Sequence, residues 1–439
     1  PPRSTLFPYT TLFRSDGIVG PHHEKEGSFY TIKQLWSPVQ IMNTSVDKQF
    51  DGKFSVENRY DFLNLNTCRF LWKQVKFPTA TDASNTTAQV LKQGEVQGSD
   101  VAAHSAGVLD IKTTILPDAD ALFLTAIDRY GHELWRWTFP VNKLNQANEV
   151  LSPLSNKVTS TETENELTVK AKNHTFIFSK KDGQLKGVSV NNRKISFANG
   201  PRFIGARRAD RSLDQFYNHD DEKAKEKDRT YSEFPDAAVF TKLDVKEDGG
   251  NLIVTANYKL GNLDKVQWTI NPNGEAVLDY TYNFSGVVDL MGICFDYPED
   301  QVISKRWLGA GPYRVWQNRI HGTQYDVWEN DYNDPIPGET FTYPEFKGYF
   351  GSVSWMNIRT KEGTISLTNE TPDAYIGVYQ PRDGRDRLLY TLPESGISVL
   401  NVIPPVRNKV NSTDLCGPSS QPKWVNGPQS GRIIFRFME

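Results

Sequence analysis

Cysteine is scarce in this 439-residue chain: Cys68, Cys294 and Cys416 are the three, far apart and without a C-x-x-C pair. That excludes a zinc ribbon or a disulfide framework and predicts three unpaired thiols. Excess positive charge is also lacking. A formal net charge of -3 leaves nothing to neutralise a phosphate backbone, so no nucleic-acid partner is expected. No apolar run is long enough to cross a membrane as a helix, and no membrane partner is expected. The sequence has no G-x-S-x-G elbow, no H-E-x-x-H and no phosphate loop, which removes the commonest hydrolase and nucleotide signatures. His174 and His321 stand without a partner at triad spacing and are expected to be structural. His22 and His23, adjacent in a polar loop with no third ligand near, are expected to be solvated.

Aromatic residues, by contrast, make up 12% of a chain that is 38% hydrophobic, enough to fill real cores. The stretch around which the chain is best understood is WLGAGPYRVWQNR, Trp307 to Arg319. Two Trp and one Tyr with planar Arg, Gln and Asn groups around a Gly-Ala-Gly-Pro turn form a surface able to stack on sugar faces and bond vicinal hydroxyls. The plainer reading is a strand, a turn and a second strand with buried rings.

The fold class reads as mainly β. Residues 16–38 open with a Gly/Pro loop, followed by a short amphipathic helix with Phe29, Ile32, Lys33 and Trp36 on one face, Ser28 as N-cap and Pro38 past its end. Residues 39–141 alternate in short strands and carry Trp135 and Trp137 late, as an immunoglobulin-like β-sandwich does. Residues 142–166 are rich in Ser, Thr and Asn and read as a linker. Residues 167–439 alternate again, with turns at Asp182-Gly183, Asn191-Asn192 and Asn271 to Gly274, and call for a large two-sheet sandwich. The interval His219 to Arg229 alternates in charge sign and reads as a solvated excursion. Asp210, Asp214, Glu345, Asp383, Asp386 and Asp414 are the conspicuous carboxylates, most of them beside an Arg, which favours ion pairing over catalysis.

Two resemblances organise these readings. Thr5 to Ser15, TLFPYTTLFRS, resembles the translation of a sequencing-library adapter, so residues 1–15 are expected to be an unstructured artefact. WLGAGPYRVWQNR resembles the W-L-G-x-G-P signature of the large β-galactosidases of glycoside hydrolase family 2, with Asn318 where that family often has Asp. Asp16-Gly17-Ile18-Val19 resembles the stretch closing that family's catalytic barrel, and Arg208-Ala209 to Asp214 its R-A-P-x-D-N-D segment.

The resemblance implies that residues 16–38 are the end of a (β/α)8 barrel, that 39–141 are the immunoglobulin-like domain, and that 167–439 are a galactose-mutarotase-like supersandwich. It implies a retaining β-galactosidase whose two catalytic glutamates lie upstream of Asp16, so the chain would be non-catalytic alone and would help shape the active-site rim. A β-galactoside is the implied substrate of the intact enzyme, with a homo-oligomer left open. No cofactor is implied for this stretch, while Na+ and Mg2+ are implied for the whole enzyme, Asp16 being a remnant of a sodium loop. Asp414, Cys416 and Trp424 are the implied rim candidates: Cys416 stands where relatives offer a Trp, which leaves Trp424 to supply the ring. Alternatives are an autonomous carbohydrate-binding module or a hydrolase of another β-glycoside. An aldose epimerase lacks its set of two histidines and a glutamate here.

Overall fold

The computed structural model describes residues 18–19, 25, 27–82, 87–141, 157–208, 231–332, 347–379, 392–405 and 417–439. The adapter-like start, Asp16, His22, His23, the interval 219–229, Asp414, Cys416 and the carboxylates Asp210, Asp214, Glu345, Asp383 and Asp386 lie outside the described residues.

Helix α1 spans Gly27–Leu35. It begins one residue before the expected cap, so Ser28 lies inside its first turn. Of the expected packing face, Phe29, Ile32 and Lys33 are half-buried, while Trp36 is 78% exposed; Tyr30, Thr31 and Gln34 also turn toward the rest of the chain.

Seven strands follow in two sheets, with strands numbered in chain order. A three-stranded sheet has the order β1 (Val39–Ile41), β2 (Lys53–Asn58), β5 (Ser105–Asp110). A four-stranded sheet has the order β4 (Gln89–Gln97), β3 (Arg69–Lys76), β6 (Ala121–Ile127), β7 (Glu133–Pro140). Alternation explains them: in β2 every second residue is buried, and Phe54 and Val56 meet Phe70, Leu122, Leu124 and Phe139 in one core. β4 escaped the sequence reading because it is an edge strand with no buried residue, so no period-2 apolar signal marks it. Trp135 is buried on β7 and Trp137 half-buried.

The terminal part holds the two large sheets. One runs β24 (Tyr375–Gly377), β25 (Ile397–Val402), β19 (Leu290–Asp296), β13 (Ala198–Arg208), β11 (Leu185–Val190), β10 (His174–Ser179), β9 (Glu166–Ala171), β8 (Thr159–Glu162). To it β12 (Arg193–Ile195) adds on β11 and β14 (Tyr231–Glu233) on β13. The other runs β15 (Val239–Asp248), β16 (Asn251–Lys259), β17 (Leu263–Ile270), β18 (Ala276–Val288), β26 (Lys423–Met438), β23 (Gly363–Asn369), β22 (Trp355–Thr360), β20 (Val302–Gly311), β21 (Gln324–Asp331). Between them Phe197, Trp268, Phe295, Phe435 and Phe437 pack ring against ring, Phe197 and Phe295 stacked at 4.4 Å. Each such fully buried ring stabilises the fold by about 1.5–3 kcal/mol.

The turn residues behave as their chemistry requires. Asn191 and Asn192 have φ of 48° and 66° and Gly274 has φ of 87°, the left-handed conformations that tight hairpins need. His174 is structural, as expected: it is buried with Nε2 2.8 Å from the Phe437 carbonyl oxygen. Cys68 and Cys294 are buried and unpaired, and Cys416 is outside the described residues. Of the expected linker, 142–156 are not described, while Thr159–Glu162 forms β8 and pairs with β9. All four β8 residues are exposed, which is why this edge strand looks like polar linker in the sequence.

An apolar seam joins the two sandwiches. Val75, Phe77, Ala80, Ala121 and Phe123 from the first meet Leu308 and Trp355 from the second. Trp355 Nε1 donates to the Pro78 carbonyl at 3.1 Å, Asn357 Nδ2 to that of Ala80 at 2.7 Å, and Arg136 pairs with Asp326 at 2.9 Å.

Candidate functional site: the β20–β21 hairpin

The WLGAGP motif ends β20, and its residue types follow from what surrounds it. Trp307 is fully buried, edge-on to Phe350 at 5.0 Å, with Nε1 donating to the Ala310 carbonyl. Leu308 points the other way, into the seam. A Cβ on Gly311 would lie 2.4 Å from the Trp328 ring, whose Nε1 donates to the carbonyls of Gly309 and Gln324. Only glycine permits that approach. Gly311-Pro312 is cis. The motif therefore builds a hairpin, and its tryptophan is a packing residue.

The loop of that hairpin, residues 312–323, is gripped from two sides. On one side, the Tyr313 ring meets that of Tyr30 at 5.1 Å, Thr31 Oγ1 donates to the His321 carbonyl at 2.9 Å, and Gly322 N donates to Gln34 Oε1 at 2.7 Å. These contacts dock α1. On the other side lies the turn 417–421. Gln317 Nε2 donates to the carbonyls of Ser419 at 3.1 Å and Gln421 at 2.6 Å, and Asn318 Nδ2 donates to Ser420 Oγ at 2.8 Å. The Gln317 backbone N–H donates to Pro404 O at 3.1 Å. Residues 404 and 417 flank the stretch that contains Asp414 and Cys416, so one side chain and its own amide hold both ends of it.

A second root is tied to the same place. Arg208 closes β13, is buried, and sends Nη1 to the Pro405 carbonyl at 3.0 Å, while its N–H donates to buried Asp289 at 3.0 Å. Asp289 N in turn donates to the Ala206 carbonyl. Arg208 thus links the start of the R-A-D segment to the start of the Asp414 stretch. A small apolar cluster supports both: Ile204, Ala206, Leu290, Cys294, Leu400 and Ile403 from one sheet, with Val315 and Tyr349 laid over them. Burial pushes the Cys294 thiol up to about 11, with the Arg202 guanidinium, Nη2 3.7 Å from the sulfur, working against it.

Deeper in, Arg314 is buried and lies over the Tyr379 ring at 4.9 Å. Burial pulls its guanidinium below the ordinary range, opposed by Tyr379 first and then by Glu299 and Tyr332. Glu299 accepts from Lys347 at 2.7 Å and from the Tyr332 hydroxyl. Lys305, also buried, lies 5.2 Å from the Tyr379 ring and donates to the Asp331 carbonyl. Glu299 is thus engaged in holding a cation and a tyrosine hydroxyl.

Of the predicted site residues, Trp424 alone is described. It is 69% exposed on β26, opposite Val287, three residues beyond Gln421, and its side chain makes no hydrogen bond or ring contact among the described residues. Arg319 anchors the hairpin, its N–H bonded to the Trp316 carbonyl and its guanidinium 5.8 Å from the Trp316 ring. Gln317 and Arg208 were missed as positioning residues. Their planar donors were visible in the sequence, but those donors take backbone carbonyls here and not sugar hydroxyls. Among the described residues no three His, Cys, Asp or Glu converge as a metal site, and Asp16 is not among them.

Comparisons with known proteins bear on the same region. No curated protein matches the chain. Among solved structures, the galactose 1-epimerase of Lactobacillus acidophilus NCFM is 10% identical with a TM-score of 0.34, over 64% of this chain and 98% of its own. The protein HI1317 is 9% identical with a TM-score of 0.31, over 64% of this chain and all of its own. A family model described as the beta galactosidase small chain matches residues 170–402. That match spans more than half of the chain, from within β9 through β25, and includes Arg208 and the whole gripped hairpin. The chain therefore belongs to the beta galactosidase small-chain family.

Proposed function

We propose that this chain is the C-terminal part of a retaining β-galactosidase of glycoside hydrolase family 2. In this reading its terminal sandwich shapes the rim of an active site whose two catalytic glutamates sit on barrel strands upstream of Asp16, about 5–5.5 Å apart as retention requires. Residues 16–38 are then the end of that barrel and 39–141 its immunoglobulin-like neighbour.

The double grip on residues 312–323 carries the proposal. A loop that docks α1 on one side and holds both ends of the Asp414 stretch on the other is what would register a rim against a barrel. Among the described residues, Glu299 is bound by Lys347 and Glu275 by Arg436, so neither is available as nucleophile or acid. Trp424, exposed just beyond the clasped turn, is the ring we assign to the rim, with Asp414 and Cys416 as its companions. Na+ and Mg2+ are expected for the intact enzyme, and Asp16, the remnant of a sodium loop in this reading, lies outside the described residues.

The test is direct. The chain alone should leave chromogenic β-galactosides unhydrolysed, and joining it to its upstream barrel should restore hydrolysis. Robust turnover by the chain alone would refute the reading. A panel of other β-glycosides on the joined enzyme decides which sugar is preferred. The exposure of Trp424 also favours a second reading, an autonomous carbohydrate-binding module, which saturable galactoside binding abolished by Trp424→Ala would support.

A further inference from the structure

The outer face of the nine-stranded sheet carries a groove of about 480 Å3 between β17, β18, β26 and residues 370–372. Its volume falls in the lower part of the range of about 300–1,000 Å3 typical of small-molecule clefts. Outward-pointing side chains of adjacent strands stand about 4.8 Å apart across the sheet and about 7 Å apart along it, a grid on the scale of one or two pyranose rings.

The wall mixes apolar surface, Pro372 and Tyr280 among it, with polar side chains that balance in charge. Lys265 and Arg432 face Asp279 and Glu370. Arg432 Nε is ion-paired with Asp279 at 3.5 Å and Glu370 at 3.6 Å, distances too long for good hydrogen bonds, so its N–H groups can turn to a guest's oxygens. The Lys265 ammonium, the Gln267 amide and the Ser430 hydroxyl line the groove and make no side-chain hydrogen bond among the described residues. Carboxylates, an amide, a guanidinium and a hydroxyl together offer acceptors and donors without a net charge. A phosphate or another anion would meet two carboxylates, and an apolar guest would strand every polar group it covered. A neutral polyol satisfies both sets.

We propose that this groove is a binding site for a neutral carbohydrate of one or two pyranose units. It goes beyond the rim function, resting on the groove's own side chains and not on the clasp or on Trp424.

Calorimetric titration of the full chain with methyl β-galactoside and with lactose tests it, with galacturonate as the charged control. Saturable binding of at least one neutral sugar is expected, stronger than that of galacturonate. Gln267→Ala and Asp279→Ala should each weaken it at least tenfold, with Trp424→Ala leaving it unchanged. Should either groove variant misfold by circular dichroism, Lys265→Ala, at an exposed position, replaces it. No saturable binding of either neutral sugar, tighter binding of galacturonate, or binding that survives the groove variants or is lost in Trp424→Ala overturns the proposal. None of these outcomes touches the hydrolysis assay of the joined enzyme, so the two readings fail separately.

Discussion

The seam between the two sandwiches and the clasp around residues 312–323 both join distant stretches of chain, by opposite means. The seam buries whole rings: Trp355 and Leu308 are fully buried, and Phe77 and Phe123 nearly so. On its turn side the clasp works through amides aimed at carbonyls, with Gln317 and Asn318 half-exposed. Ring burial is non-directional and scales with area, so it supplies stability. A hydrogen bond contributes only about 0.5–1.5 kcal/mol net but fixes direction and distance. The seam should therefore govern how stable the molecule is, and the clasp where its rim segments stand.

Breaking the seam should have the largest effect. Trp355→Ala removes a buried indole and leaves the Pro78 carbonyl without its donor, and is expected to cost about 3–5 kcal/mol. Differential scanning calorimetry should show a clear fall in the midpoint. An unchanged midpoint would mean that the seam is a passive contact.

Alkaline pH comes next, through the thiol under the clasp. Cys294 is raised from 9.0 to about 11 in the folded chain. A group with a raised folded pKa contributes its stability fully below the unfolded value and loses it as pH climbs toward the folded one, so stability should fall between about pH 9 and 11. Two pKa units correspond to about 2–3 kcal/mol. Buried tyrosines such as Tyr280, pushed up to about 12 by burial, add to the decline over a higher window. Urea titrations at several pH values should find a shallower decline over pH 9–11 for Cys294→Ala; an identical slope would remove the thiol from the account.

Gly322→Ala tests the helix side of the clasp. Gly322 has φ of 88°, and an added Cβ would lie 2.5 Å from Thr31 N, so strain and clash together should cost about 1–3 kcal/mol. Hydrogen exchange should speed up in residues 27–35 before anywhere else. On the turn side, Gln317→Ala should cost about 1–2 kcal/mol at most. Its stronger signature is local: faster exchange at 417–421 in the chain, and a loss of activity in the joined enzyme larger than its loss of stability. Equal losses would reduce Gln317 to ordinary packing. Smallest of all is Lys33→Ala, which breaks the half-exposed pair with Glu133 at 2.9 Å. Exposed pairs contribute about 0–1 kcal/mol, so a midpoint shift beyond a degree or two would show that α1 depends on charge and not on its contacts with 312–323.

Much of the scaffold was legible because the code for it is local. Period-2 burial in HTFIF and EAVLDYTYNF marks β10 and β18, and paired asparagines mark the turn after β11, since each follows from neighbours in the chain. Edge strands such as β4 and β8 were not legible, because with neither face buried they carry no apolar rhythm. The exposed end of the helix face was misread for a related reason: Trp36 looks like a core residue, yet the surfaces that α1 meets belong to β7 and to residues nearly 300 positions away.

The hairpin divides along the same line. Its sequence by itself determined a Trp-rich strand, glycines that admit the Trp328 ring, and membership in a galactosidase family. Only the tertiary structure decided that Gln317 and Arg208 spend their donors on Pro404, Pro405, Ser419 and Gln421, about a hundred to two hundred residues on. A planar amide bonds equally well to a sugar hydroxyl or to a backbone carbonyl. Which one it finds depends on the folding of two sheets that bring the carbonyl within 3 Å, and no spacing within WLGAGPYRVWQNR encodes that.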